Sequence, residues 1–149
     1  MSPLSDGETR DLGALAAIMI PASATYGMPG ADDPTILADI LKSLDRDTDD
    51  ARQALAALAT RAGGGAGTFA SLPADRRRDI AMAFKDKGGA ALFNLNRVVL
   101  LCYYRDDRVM RALGQEPRPP FPKGHEVEQG DWSLLDPVRA MKPIWRRAG

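Results

Sequence analysis

Cys102 is the only cysteine and His125 the only histidine of the 149 residues. One thiol and one imidazole exclude an internal disulfide, a multi-cysteine iron–sulfur or zinc site, and any centre that needs two histidines. A catalytic thiol needs a lowered pKa and access to solvent, yet Cys102 lies within residues 98–104, the most apolar run of the chain, where a thiol behaves as a small hydrophobe. His125 stands beside Glu126 in a proline-rich segment, with no Ser or Cys at a spacing that marks a nucleophile, so a structural or solvent-facing place is expected for it. Carboxylates crowd residues 45–50 and Asp106–Asp107, but acids at helix starts are explained by capping and by the helix dipole. The alternating ligands, central glycine and closing glutamate of an EF-hand are missing. Gly63, Gly64, Gly65 and Gly67 have neither the preceding strand nor the Gly-Lys-Ser/Thr sequel of a phosphate loop. No catalytic, cofactor-binding or metal-binding residue is therefore assigned. Tyr103, Tyr104 and Arg105 form an aromatic and cationic cluster of the kind that anchors interfaces, with core packing as the competing explanation.

The elements that position these residues are helices. Ser5 and Glu8 have capping-box spacing, and Leu12, Leu15, Ala16 and Met19 recur at helical intervals up to Pro21, where a loop to Gly30 begins. Asp33-Pro34 starts a second helix with the stripe Ile36, Leu37, Ile40, Leu41 and Leu44. A third begins within residues 45–50, runs to about Arg61 and ends in the glycine run, read as a floppy connection. Pro73 opens a fourth, with Ile80, Ala83 and Phe84 inward and Arg76, Arg77 and Arg78 outward, closed by Gly88 and Gly89. Residues 90–104 form a fifth whose second half is apolar nearly all round, as in a central helix surrounded by others. Asp106 or Asp107 caps a short sixth through Val109, Met110 and Leu113 to Gly114. The predicted fold is all-α, an irregular bundle of five to six helices over residues 1–114 with a long proline-rich extended tail over 115–149, one domain overall.

That tail holds six of the eleven prolines, together with Phe121, Trp132 and Trp145. Proline removes backbone donors, so extended chain is expected, with turns at Lys123-Gly124 and Gln129-Gly130. Rings of this size do not suit a disordered segment, so the tail should lie against its own helices or clamp another chain.

The twenty basic and twenty acidic residues cancel, which argues against nucleic acid as a partner. Residues 1–50 nevertheless hold ten acids against three bases, and residues 51–100 eight bases against three acids. The two segments can attract each other in the fold or present opposite faces to a partner. No run approaches the roughly 20 apolar residues that span a bilayer, so no membrane insertion is expected. The N-terminus lacks the pattern of a secretory signal, and a lone thiol leans toward a reducing compartment, which together suggest the cytoplasm or a chain whose signal was removed.

Read in order, "LAAIMIP" (residues 15–21), "PGA" (29–31), "FASL" (69–72), "YYRDDRVMRALG" (103–114), "RPPFPKGH" (118–125) and "GDWSLLDPVR" (130–139) resemble the gluconate 2-dehydrogenase subunit 3 family, the small or gamma subunits of flavin-dependent sugar dehydrogenase complexes. The resemblance covers most of the chain. It implies a small helical protein with no cofactor of its own, bound to a large flavoprotein of the glucose–methanol–choline (GMC) class that carries FAD and oxidises a sugar or glucoside. Such a small subunit helps the large one to fold or persist, and in exported complexes it carries a twin-arginine signal. That signal is not seen here, which suits a cytoplasmic complex, with a periplasmic one if the signal was removed or comes from the partner. Some relatives have cysteine pairs that this chain cannot form. On this reading Tyr103, Tyr104, Phe121, Trp132 and Trp145 are candidate anchors, Arg105 and Arg118 charged or stacking contacts, and Pro120 part of the stiffened segment. The alternative is a stand-alone helical binding or regulatory domain whose tail rings are buried on its own helices.

Overall fold

Helix α1 (Asp6–Met19) opens at the box that Ser5 and Glu8 predict: Ser5 Oγ accepts Glu8 N at 3.3 Å, and Glu8 Oε2 accepts Ser5 N at 2.8 Å. The computed structural model describes residues 3–119, 121–124 and 126–142. After α1 the chain loops, pinched by an antiparallel bridge between Ser23 and Met28. Asp33 Oδ1 accepts the amides of Thr35 and Ile36 and so starts α2 (Pro34–Ser43), with Pro34 where no helical donor is needed. A single 3-10 turn, Asp45–Asp47, leads into α3 (Thr48–Arg61). Then follow α4 (Thr68–Ser71), α5 (Ala74–Lys85), α6 (Gly89–Arg105) and α7 (Asp107–Ala112), the last capped by Asp106. The core gathers Leu12 and Leu15 of α1, Ile36 and Ile40 of α2, Leu55 and Leu58 of α3, Phe69, Phe84, Leu95 and Val99.

Several expectations are corrected. The described residues contain eight α-helices where five to six were predicted, because α4 and α8 (Asp136–Arg139) are single turns, too short to leave a periodic pattern. In α5 the buried residues are Ala81 and Phe84, while Ala83 is exposed: it lies about 200° around the helix from Ala81. The second half of α6 is not surrounded. Leu95, Val98, Val99 and Cys102 are buried, and α6 packs chiefly on α3 and α2, whereas Leu100, Leu101 and Tyr104 are exposed.

The glycine run is likewise not floppy. Asp11 is wholly buried on α1, and its two carboxylate oxygens accept Gly67 N at 2.7 Å and Ala70 N at 2.8 Å. Gly67, at φ +89°, has no side chain to cap α4, so α1 supplies the cap across the bundle. The backbones touch here: a Cβ on Gly7 would sit 2.8 Å from Ala66 O.

The contacts divide the chain into two compact units, Met1–Pro117 and Arg118–Gly149. In the second, residues 121–123 turn around a cis Phe121–Pro122 bond, and Gly124 has φ +67°. Residues 129 and 130 form no turn, and the tail is not extended throughout: Asp131 Oδ1 accepts Ser133 N, starting a 3-10 turn (Trp132–Leu135) that runs on into α8. Aspartate capping and Pro137 in the first turn outweigh the proline-rich composition there. Among the described residues no helix is long and apolar enough to cross a membrane.

Candidate partner-binding surface

One flank of α6 is closed by charge. Arg105 grips Asp39 with Nε and Nη2 at 2.8 and 2.7 Å and also donates to Ser43 Oγ at 2.6 Å. On α7, Arg108 forks onto Asp33 at 2.8 and 3.0 Å and onto Asp106 at 3.0 Å. Arg97 donates to Asp47 and Asn94 to Asp50, both at 2.6 Å. Part of the acidic excess of residues 1–50 is thus consumed inside the fold, answering bases of the later helices. Hydrogen bonds from Arg108 hold the Asp33 and Asp106 carboxyls below the usual carboxylate range, and those from Arg105 do the same for Asp39.

The opposite flank is apolar and open. Phe93, Leu100 and Tyr104 are 68, 43 and 53% exposed, and Leu113, just beyond α7, is 48% exposed; Leu101, 52% exposed, lies four residues from both Arg97 and Arg105 and so sits on the charged side. Phe93, Leu100 and Tyr104 follow one another by seven and four residues, which aligns them along one side of the helix. In the second unit Phe121 (85%), Trp132, Leu134, Val138 and Met141 are exposed.

Adjacent in sequence, the two tyrosines part company. Tyr103 is interior, its hydroxyl donating to Pro29 O at 3.0 Å, and so cannot itself be an anchor. It backs Tyr104, which meets it edge-on with ring centroids 5.2 Å apart. Arg105 is engaged within the bundle, and Arg118 within the tail, where it donates to Gly124 O at 2.7 Å. Phe121 and Trp132 are displayed in the second unit; Pro120, His125 and Trp145 lie outside the described residues. Phe93, Leu101, Leu134, Val138 and Met141 are surface residues that the sequence reading did not single out. Their signal is an excess of large apolar positions over what one buried helix face can hold.

Burial raises the Cys102 thiol, keeping it protonated beside Ser43. Among the described residues no three His, Cys, Asp or Glu side chains are grouped to hold a metal. The arrangement offers wide apolar contact. No protein-family model, curated protein or solved structure matches the chain.

Proposed function

We propose that this chain is a non-catalytic small subunit that binds and stabilises a large GMC-type, FAD-dependent sugar or glucoside dehydrogenase. The observation that supports this reading is the open flank of α6, repeated in the tail: large apolar side chains held in water by ordered backbone. Exposed rings scattered singly need no explanation, but aligned ones mark an interaction site. The rigid backbone beneath them reduces the ordering cost of association. The family resemblance supplies the class of partner and with it the flavin, which belongs to the large chain. The proposed compartment is the cytoplasm, where the protonated, buried thiol of Cys102 suits reducing conditions.

Co-expression with a GMC-class flavoprotein encoded beside it tests the proposal. A yellow complex that co-purifies and reduces an artificial dye is expected, with the flavoprotein poorly soluble alone. Trp132→Ala should weaken the complex by about 2 kcal/mol or more, as truncating a ring anchor does. Two independently soluble chains, with dye reduction unchanged when this one is omitted, would refute it.

A further inference from the structure

A groove of about 510 Å³ runs along α1, walled by Arg10, Gly13, Ala14 and Ala17 of that helix, Leu37 of α2 and Arg77 of α5. The four α1 residues recur at intervals of three and four and so share one side of the helix, where the small ones keep the floor low. Arg77 differs from the other charged groups of the first unit. Among its described residues every other charged side chain at least partly withdrawn from water, from Glu8 to Asp106, has a hydrogen-bond or ion-pair partner. Half-buried Arg77 has none, and neither has exposed Arg10. The Nε of Arg77 is sealed from water and faces the bundle, so its two Nη nitrogens are the ones open to solvent. A charge drawn out of water without a counter-charge is costly, and pairing offsets that cost.

We infer that this groove binds a carboxylate carried on a short apolar body, which takes the Nη donors of Arg77 and the guanidinium of Arg10 while its carbon chain lies on Ala14, Ala17 and Leu37. The planar fork of a guanidinium matches the two oxygens of a carboxylate, and two forks converging from different helices favour it over a neutral group. A phosphate suits the groove less: the small apolar floor offers it nothing, and Asp32, exposed at the margin, repels a second negative charge. A free organic acid and the Asp or Glu side chain of another protein share the inferred chemistry. The inference stands apart from the proposed function, which calls on neither arginine.

Titration of the full chain with butyrate, 1-butanol and inorganic phosphate at constant ionic strength, followed by NMR, tests the site. Butyrate should shift the Ala14 and Ala17 methyl signals and the Arg77 Nε–H signal, and bind about tenfold more tightly than either other probe, the factor one charge-assisted hydrogen bond supplies. Arg77→Gln removes a half-buried charge, so it should fold with an unchanged or raised melting temperature and weaken butyrate about tenfold. Arg77→Lys keeps the charge without the fork and should weaken it by a smaller factor. Arg76→Gln, at the exposed position next to it, should leave butyrate binding unchanged. No saturable shift with butyrate, equal affinity for butyrate and 1-butanol, or phosphate binding as tightly as butyrate would overturn the site. So would an equal loss in Arg76→Gln and Arg77→Gln, which marks a diffuse positive field, or no loss in either Arg77 variant. The capped tripeptide acetyl-Ala-Glu-Ala-amide then separates the two sources. Tighter binding than butyrate at the same signals supports the site as one for a protein side chain, and weaker binding supports it as one for a free acid.

Discussion

Helices α1 and α6 are fastened to the same bundle by opposite means. α1 uses one carboxylate in a dry place: Asp11 is 0% exposed and takes both its donors from backbone amides 56 and 59 residues away. α6 and the α7 that follows it use guanidinium–carboxylate pairs at the rim, where Arg105 and Arg108 keep 46 and 45% of their side chains in water. A rim pair that breaks is re-solvated on both sides, so its worth is about 0–1 kcal/mol. A buried carboxylate that loses its donors has no such exchange. Acids that look alike in the chain therefore differ in rank by burial. The same contrast leaves α6 with one flank tied by charge and the other bare.

The largest effect should come from breaking the dry attachment. Asp11→Ala removes two hydrogen bonds to a carboxylate, each worth about 1.5–3 kcal/mol, and is expected to cost about 3 kcal/mol or more in a urea or thermal melt. Limited trypsin digestion should then cut at Arg61, beside the released glycine run, well before the wild type is cleaved there. Asp11→Asn should fall between, since its amide can accept from one backbone N–H but turns a donor toward the other. An Asp11→Ala protein as stable as the wild type would erase the contrast.

These two attachments also show where the sequence is legible. Helix starts read correctly where a cap and a period agree, as at Ser5 with Glu8, at Asp33 with Pro34 and at Asp106, because the partners lie within four residues. The reach of Asp11 to Gly67 and Ala70 leaves no local signal, so the glycine run reads as slack. The bare flank of α6 is hidden for another reason. An apolar run has the same composition whether neighbours cover it on every side or not, and only the rotational phase of the helix decides that Tyr103 goes in and Tyr104 out. The acidic excess at the start of the chain is visible, but pairing Asp39 with Arg105 and Asp33 with Arg108 requires the α2–α6 packing. The rings of the tail are visible as composition, whereas the 3-10 turn that holds Trp132 is too short to leave a periodic pattern.

The rim attachment should show a smaller effect with its own signature. Arg108→Ala is expected to cost about 1 kcal/mol, and the difference should shrink in about 1 M salt, where exposed pairs are screened. Asp33, Asp39 and Asp106 have folded pKa values below their unfolded ones. Their stabilising contribution is thus fully present above the unfolded value near pH 4 and is lost as pH falls through the folded values. Acid melts of the wild type should steepen below about pH 4, and Arg108→Ala should flatten that limb. Identical acid limbs in the two proteins would mean that the seam contributes nothing to linkage.

The smallest effect is expected on the bare side of α6. Leu100→Gln keeps a straight, helix-favouring side chain at a position 43% exposed, so the isolated chain should change by no more than about 0.5 kcal/mol. That near-neutrality separates a surface kept for a partner from one kept for the fold. If Leu100 were buried against another part of the same chain in solution, the substitution would cost what a core Leu loses, about 2 kcal/mol or more, with or without the flavoprotein. If Leu100 belongs to a surface that a second protein covers, the melt of the isolated chain stays put while the complex weakens. Measuring both on one variant makes the bare flank of α6 either an interface or a misplaced piece of core.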